Sequence, residues 1–589
     1  MEYCRAGRTT SPRSSDWSCT RDASGHRPCA FRFDIAHVEW HTAPIHDIPM
    51  RTVFVAPPPC KPSEPALSGG AAAEVFRRLG GDGSFIDASI GWHRFALEPE
   101  RLSRIVEDAV REGREAGALT AYRAAIRSLR EHPVPLRRAE TYADRRVYTS
   151  AVAELDNALR IAALPYAGVR LGVAMVALVE PTRRLESSAV LEESSVVRGP
   201  FDDYLIEELL PRIEASGAEC VAVSLTFQQQ AVAAMRLGRL LRERMPSVRR
   251  VIGGPLVASW RAVGIDLERA PFTLFDRVVA GDDRDLAELV RDTNEGWEAA
   301  GDALEGGLLS PGLGEVPWGD YLAPMPVVPA AIGRGCYWSR CTFCPDHVHG
   351  GHRPCAQQSV GPWLDRVAER FPSGAMLHLT DSALPVEHLV RIAGHVAELG
   401  LPLRWHGFAR VERAFAEPEV ARLLAAGGCA MLQFGVETAS LRMHERLGKG
   451  AGPERARQVL RATSSAGIRT HVYLLFGLPG ETDDDREETL RFVEQEADSI
   501  SAINASLLNL PKGSPMHREP GRHGITTIEP FHGDTDLSLY DDFRCGGSHP
   551  RTEARRWLEK RFLRSERVKA IVGRLRSPFK ANHLCFLDG

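Results

Sequence analysis

The chain has 589 residues, 43% of them hydrophobic, and a formal net charge of -4, which predicts two to four ordinary globular domains. The charge balance lacks the basic surplus of nucleic-acid-binding proteins, and no apolar run is long enough to span a bilayer. Twelve cysteines in so long a chain are not a disulfide framework, so we expect a reducing compartment, the cytoplasm by default.

Residues 1–49 show no hydrophobic periodicity and are rich in Arg, Ser, Thr and His. This composition predicts a disordered extension. Met50 stands directly before the first apolar run, and we expect it to be the natural start.

Apolar runs alternate with amphipathic helical patterns over residues 50–300. Nearly continuous apolar runs, such as 218–226, are typical of strands inside a parallel sheet. The alternation predicts an α/β fold with a doubly wound, Rossmann-like sheet that binds ligands at the carboxyl ends of its strands. A charged, helix-dominated stretch at about 99–200 is predicted to be an insertion. The predicted strands are 52–56, 84–89, 218–226, 249–254 and 275–280, and the predicted helices are 67–79, 202–216, 231–245 and 286–291.

Polar residues and glycines stand at the ends of two of these predicted strands. Ser224, Thr226 and Gln228 belong to the first group, and Gly253 and Gly254 to the second. Because ligands bind at strand carboxyl ends in such sheets, these five residues are candidate ligand contacts.

A Gly- and Pro-rich linker, assigned to 301–326, leads to three clustered cysteines. Cys336, Cys341 and Cys344 lie in the sequence G-R-G-C-Y-W-S-R-C-T-F-C, directly after the predicted strand 327–332. Three thiolates on one loop can hold three irons of a 4Fe–4S cluster and leave the fourth iron open. Zinc, with His347 or His349 as the fourth ligand, is the alternative.

A second alternating series fills residues 327–515 and predicts a partial, six-stranded TIM-type barrel. Such barrels place their chemistry at the carboxyl ends of the strands, and the cysteine loop follows the first strand there. Residues 516–589 are predicted to be a C-terminal helical extension. The predicted strands are 327–332, 376–380, 404–409, 431–435, 470–476 and 503–508, with helices at 361–371, 386–399, 417–426, 454–466 and 483–496.

The other barrel strands end in polar or turn-forming motifs. Glu481, after the fifth strand, is expected to cap the helix that follows it. The candidate site residues in these motifs are Asp381 and Ser382 of T-D-S, Arg410, Glu437 of G-V-E-T, Lys449 of L-G-K-G, and Gly477 and Pro479 of F-G-L-P-G-E.

The cysteine loop and these motifs, in this order, resemble the radical S-adenosylmethionine enzymes. The usual spacing of three and then two residues between the cysteines is here four and two. The motif G-C-Y-W-x-x-C-x-F-C is similar to that of the cobalamin-binding branch of these enzymes, which includes peptide maturases. The segments V-F-V-A-P-P-P and V-A-V-S-L-T-F-Q-Q-Q resemble the cobalamin-binding domains of that branch, and the chain has no D-x-H-x-x-G motif for a lower histidine ligand.

The resemblance implies how the cluster and the amino acid end of S-adenosylmethionine would be held. The three cysteines of the loop would hold the cluster, and its open iron would chelate S-adenosylmethionine. Asp381 would face the methionine amine. Lys449, or its rival Arg410, would pair with the methionine carboxylate.

The resemblance also implies contacts for the remaining parts of the cofactors. Glu437 would contact the ribose hydroxyls, and the turn with Gly477 and Pro479 would lie against adenine. The loops at Ser224 and Gly253 would approach the corrin.

A function follows from the same resemblance. A 5′-deoxyadenosyl radical would form from S-adenosylmethionine and lead to cobalamin-dependent C-methylation, or a related modification, of a peptide or small natural product, as in peptide maturation. A flavodoxin or ferredoxin would donate the electron. A cobalamin-free radical rearrangement or crosslinking enzyme, and a non-catalytic iron–sulfur or zinc adaptor, are the alternatives.

Overall fold

The computed structural model describes residues 50–113, 119–131, 135–180, 182–279, 286–289, 308–349, 351–575 and 577–587. The predicted extension 1–49 and the first part of the predicted linker, 301–307, lie outside these ranges, as do residues 280 and 290–291 at the ends of two predicted elements. No helix within the described ranges combines the length and the apolar character needed to cross a bilayer.

The first of two large parallel sheets has five strands. They are β1 (Thr52–Ala56), β2 (Gly83–Asp87), β3 (Cys220–Ser224), β4 (Arg249–Gly253) and β5 (Arg277–Val278). Their order is β2-β1-β3-β4-β5. Val53 and Val55 enter one core, whereas Phe54 and Ala56 enter another on the opposite face. Burial on both faces explains the continuous apolar runs, and the predicted parallel α/β fold is confirmed.

Helices cover this sheet. The predicted helix 202–216 is interrupted by a π-helical segment, Leu205–Leu209. Pro211, two residues after its end, has no N–H to donate to the preceding turn. The helices of this region are Leu67–Arg78, Ala88–Ala96, Asp202–Tyr204, Leu210–Ala215, Ala231–Arg244 and Pro255–Ala262.

The insertion at 99–200 contains a β-hairpin that the sequence did not predict. Val169–Gly172 pairs with Met175–Leu178 in antiparallel fashion. The backbone N–H of Val176 donates to Gln229 Oε1 over 2.8 Å, so the hairpin lies beside the loop that follows β3. The helices of the insertion are Pro99–Arg111, Leu119–Glu131, Glu140–Ala143, Arg145–Ala163 and Ser188–Val196.

The second parallel sheet is the predicted partial barrel. Its strands are β6 (Val327–Ala330), β7 (Ala375–Leu379), β8 (Leu403–Ala409), β9 (Cys429–Glu437), β10 (Arg469–Phe476) and β11 (Ala502–Leu507). Each of these strands pairs with the next one in the series, so all carboxyl ends lie at one edge. The helices between them are Val360–Arg370, Val386–Glu398, Pro418–Ala426, Leu441–Leu447, Pro453–Ser465 and Asp483–Gln495.

The C-terminal region, predicted to be helical, also contains a small antiparallel sheet. Tyr540–Arg544 pairs with Leu510–Pro511 on one side and with Thr527–Glu529 on the other. The helices that follow have exposed outer faces but pack on the barrel, and in the turn between two of them Phe562 is fully buried with its ring 5.3 Å from that of Phe476. The helices are Pro550–Lys560, Glu566–Arg574 and Lys580–His583.

Two hydrogen bonds connect the loops and strands of the two large sheets. The Tyr321 hydroxyl, just before β6, donates to Asp87 at the end of β2 over 2.7 Å. His378 Nδ1 in β7 lies 2.8 Å from Glu64 Oε2, in the loop after β1. The carboxyl end of the first sheet is thereby held against the barrel.

The C-terminal helices should be required for the stability of the barrel. Phe562→Ala should lower the free energy of unfolding by about 3–5 kcal/mol, because it removes a fully buried ring. Leu563→Ala is the matched control, since this side chain is 43% exposed and its loss should cost under about 1 kcal/mol. Urea unfolding of both variants, followed by circular dichroism, measures the difference. Equal losses would contradict the packing described.

Candidate active site

The three predicted cysteine ligands share one loop at the carboxyl end of β6. Cys341 is buried, Cys336 and Cys344 are half-buried, and all three are free thiols. Burial and the nearby Asp346 carboxylate raise the pKa of Cys344 to about 12. Within the described residues no three Cys, His, Asp or Glu side chains are already gathered at metal-ligand spacing. The three thiols therefore share one loop, but their sulfur atoms are not close enough together to form a ready metal site.

The two histidines considered as zinc ligands are engaged elsewhere. His347 Nε2 lies 3.0 Å from the carbonyl oxygen of Cys341, and His349 Nε2 lies 3.3 Å from Ser259 Oγ. One ring nitrogen of each histidine is thus engaged by a group other than a cysteine sulfur, and no described group of three Cys, His, Asp or Glu side chains stands ready to hold a metal.

The four-residue spacing between Cys336 and Cys341 is accommodated by a tight turn. Ser339 has a φ of 43°, a conformation that few non-glycine residues adopt. Trp338 fixes the turn, since its indole N–H donates to the carbonyl oxygen of Gly448 over 2.8 Å. Sequence reasoning missed this tryptophan, although it stands within the motif.

Asp381 holds the base of the cysteine loop. Its carboxylate accepts hydrogen bonds from the backbone N–H of Ile332, at 3.0 Å, and of Gly333, at 2.6 Å. Burial raises the pKa of Asp381 to about 6, although these backbone bonds favour the charged form. The role expected from the resemblance, facing a methionine amine, stays a prediction. Ser382, the neighbouring candidate, is exposed.

Glu437 and Lys449 form a buried ion pair at the end of β9. Lys449 Nζ lies 2.8 Å from Glu437 Oε1, and each side chain is less than a seventh exposed. Burial opposes the charge of Lys449, but the adjacent Glu437 carboxylate raises the pKa of this amine overall. A β-carbon on Gly435 would stand 2.7 Å from both charged atoms, so only glycine leaves room for the pair there.

Glu437 also has an unusual backbone. Its φ is 65°, and it lies at a register shift between β9 and β10. Among the described residues only Ala174, Ser339 and Glu437 are non-glycine residues with positive φ, and two of the three lie at this site. Such local strain is concentrated at functional positions, where the surrounding structure enforces it.

Arg410, at the end of β8, joins this group. It is 7% exposed, its Nη2 donates to the carbonyl oxygen of Lys449 over 2.7 Å, and its guanidinium lies 4.1 Å from the centre of the Trp338 ring. Its Nε has no hydrogen-bond partner among the described residues. The nearest carboxylate is that of Glu412, 4.0 Å away, to which the Tyr337 hydroxyl donates. A buried guanidinium with an unused donor suits an anionic ligand.

The turn after β10 is closed by Glu481, which does not cap the next helix. The Glu481 carboxylate accepts a hydrogen bond from the backbone N–H of Gly477 over 2.7 Å and pairs with Arg486. Burial raises the pKa of Glu481 to about 7. Thr482 caps the following helix instead, so the expectation for Glu481 was wrong. Pro479 lies within this turn, and its contact with adenine stays a prediction.

The candidates in the loop after β3 are bonded mainly to the protein itself. Ser68 Oγ lies 2.9 Å from Ser224 Oγ and 2.6 Å from Thr226 Oγ1. The amide nitrogen of Gln228 donates to the carbonyl oxygen of Leu185. Their contact with a corrin stays a prediction.

The two glycines at the end of β4 have a packing reason that is independent of any ligand. Gly254 has a φ of 102°, and a β-carbon there would stand 2.7 Å from the Leu225 carbonyl oxygen. A β-carbon on Gly253 would stand 2.9 Å from the carbonyl oxygen of Val279. Their approach to a corrin also stays a prediction.

The residues present fit the chemistry of an iron–sulfur centre with an amino-acid ligand. Three free thiols share one loop, and the charges of Lys449 and Arg410 act on Cys341, opposing the effect of burial that raises its pKa. Cationic groups around buried sulfurs favour the thiolate form that binds metal. The same two cations, with the unused Nε of Arg410, suit a carboxylate.

Comparison with known proteins agrees with this site. Residues 331–493 match the model of the Radical SAM superfamily. The chain is 25% identical over 344 residues to an uncharacterised methyltransferase of Pyrococcus horikoshii, covering 52% of this chain and 72% of the relative. It is 27% identical over 186 residues to the 4′-phospho-dehydrooxetanocin synthase of Priestia megaterium, a match that covers 28% of this chain and 25% of the synthase.

Two solved structures are similar in part. The cobalamin-dependent S-adenosylmethionine radical enzyme OxsB, with aqua-cobalamin bound, gives a TM-score of 0.46 at 16% identity and covers 64% of this chain and 63% of its own. The radical S-adenosylmethionine methyltransferase TsrM from Kitasatospora setae, with cobalamin and a 4Fe–4S cluster bound, gives a TM-score of 0.39 at 17% identity. The match covers 58% of this chain and 69% of TsrM. The chain thus spans less than two thirds of OxsB and of the synthase.

The family match covers the cysteine loop and the strand ends from β7 to β10, the same residues that the geometry brings together. Residues 331–493, which include the cysteine loop, are therefore similar to the Radical SAM superfamily.

Proposed function

We propose that this radical S-adenosylmethionine enzyme is a cobalamin-dependent methyltransferase that acts on an unactivated carbon of a peptide or natural product. The observation that carries the proposal is the buried group of Glu437, Lys449 and Arg410 beside the cysteine loop, at the carboxyl end of a partial barrel. The similarity to a methyltransferase of Pyrococcus horikoshii supports the reaction type.

Named residues would hold the ligands of this reaction. When bound, a 4Fe–4S cluster on Cys336, Cys341 and Cys344 supplies the electron that cleaves S-adenosylmethionine, and cobalamin serves as the methyl carrier. The cationic groups of Arg410 and Lys449 orient the methionine carboxylate. The Glu437 carboxylate accepts hydrogen bonds from ribose hydroxyls.

The arrangement of the two sheets supports a corrin between them. Glu64 in the loop after β1 contacts His378 in β7, so the carboxyl end of the first sheet is held against the barrel. Ligands of doubly wound sheets bind at that end. A cofactor there would share a water-poor space with the cysteine loop, which protects radical intermediates from side reactions.

The test of this function is anaerobic purification with hydroxocobalamin present, followed by reaction with S-adenosylmethionine and a strong reductant. We expect a corrin absorbance that remains after gel filtration, and release of 5′-deoxyadenosine and S-adenosylhomocysteine. If no corrin binds while 5′-deoxyadenosine still forms, the methyl-transfer proposal fails and a cobalamin-free radical reaction replaces it.

The cluster ligands are tested by replacing Cys336, Cys341 and Cys344 together with alanine. The triple variant should lose its bound iron and all cleavage of S-adenosylmethionine, because no thiolate remains on the loop. Cys545, a half-buried thiol outside the loop, provides the control variant Cys545→Ala. Iron and sulfide analysis of anaerobic protein measures the result, and stoichiometric zinc without iron in the wild type would contradict the assignment.

The buried ion pair is tested by Glu437→Gln. This change should leave the iron content unchanged but weaken S-adenosylmethionine binding at least about tenfold, because it removes a charged acceptor and leaves Lys449 buried without its partner. Glu445→Gln, at an exposed position eight residues along the chain, is the control. Equilibrium dialysis with labelled S-adenosylmethionine gives both affinities, and equal values would exclude the role of the pair.

A further inference from the structure

The interior of the barrel contains buried polar atoms that have no hydrogen-bond partner among the described residues, although Gln433 Oε1 accepts from the Tyr473 hydroxyl. His406 in β8, Gln433 in β9 and His471 in β10 are each at most 2% exposed. Both ring nitrogens of the two histidines, and Nε2 of Gln433, make no hydrogen bond to any described residue. Sequence reasoning passed over all three.

These side chains lie close together and face the same space. Gln433 and His471 are register partners on adjacent strands, and the ring of His406 stacks on that of His378 at 4.4 Å. Phe408 and Tyr473, two strands apart, have their ring centres 5.4 Å apart, which shows that this face is the concave one.

An empty apolar interior does not account for these unpartnered atoms. Each buried polar atom left without a hydrogen bond costs about 1–3 kcal/mol, and native proteins leave few of them. A polar occupant of this space removes the penalty. The space between His406, Gln433 and His471 is called the barrel chamber below.

The charged side chains around the barrel chamber indicate the sign of the charge that a bound group would carry. Glu64 contacts His378 and is also stabilised in its charged form by Lys61, whereas Lys580 forms no ion pair with any described residue, so two lysines face one carboxylate. Burial, and after it the charges of Lys580 and Lys61, lower the pKa of His471 to about 3, so its ring is neutral and offers one N–H. The chamber is thus cationic and rich in donors.

The barrel chamber is closed at one end and partly accessible elsewhere. Arg404, near the start of β8, donates to the carbonyl oxygen of Cys585 over 3.2 Å, so the C-terminal segment covers the amino end of the strands. The side chains of His378 and Glu64 remain 14% and 17% exposed. The chamber is therefore not sealed where His378 and Glu64 lie.

We propose that the barrel chamber binds an anionic group of the substrate, a carboxylate or a phosphate monoester, through Lys61, Lys580, His406, His471 and Gln433. The inference rests on the proposed function in that it names the class of substrate the enzyme takes. A small anion fits the observed donors, because two ammonium groups and neutral imidazole N–H groups all donate hydrogen bonds.

The experiment is calorimetric titration of the full cluster-loaded chain with inorganic phosphate and, separately, with acetate, at constant ionic strength. We expect saturable binding of one anion per chain, and the tighter of the two identifies the group. Lys61→Gln and Lys580→Gln should each weaken binding about tenfold. Lys569→Gln is the control, because this lysine is exposed and paired with Glu566 on its own helix.

His471→Gln provides a variant that keeps a neutral donor-acceptor side chain, and binding by it should weaken less than by either lysine variant. Circular dichroism checks that every variant is folded. Absence of saturable binding of both anions to the wild type, or equal affinities for the Lys61, Lys580 and Lys569 variants, would overturn the inference. Cleavage of S-adenosylmethionine by the wild type is measured in parallel, so failure of the proposed function is seen independently of anion binding.

Discussion

The hydrogen bonds between Asp381 and the backbone of Ile332 and Gly333 are the constraint on which the site depends. They join the end of β7 to the start of the cysteine loop after β6. The position of the loop is therefore fixed by the sheet. The carboxylate is buried, and burial raises its pKa to about 6. A buried charge of this kind persists because the backbone amides solvate it in place of water.

Electrostatic balance explains the rest of the site. Arg410 and Lys449 bring two positive charges to the cysteine loop, and Glu437 neutralises one of them. The remaining positive charge stands where three thiolates and a carboxylate would add negative charge. Because these groups are buried, each interaction is stronger than it would be at a solvated surface. The strained backbone of Glu437 and the missing side chain of Gly435 are what allow the pair to lie against β9.

The sequence predicted both parallel sheets and the motifs at the carboxyl ends of the barrel strands, because apolar runs and turn motifs are local signals. It did not predict what those residues bond to. The partner of Asp381 is backbone 48 residues upstream, and the partner of Glu481 is a turn amide that competes with helix capping. The hairpin at 169–178 was missed because its short strands, Val169–Gly172 and Met175–Leu178, lie in a stretch read as helical.

The barrel interior shows where a sequence signal existed but was not used. His378, His406, Gln433 and His471 are polar side chains within the barrel strands, on the face opposite to the one that packs against the helices. A parallel strand buried on both faces has no need of such residues for folding, and each one costs desolvation. Their unpartnered atoms on adjacent strands, close to the charges of Lys61 and Lys580, are the observation that supports the proposed anion site.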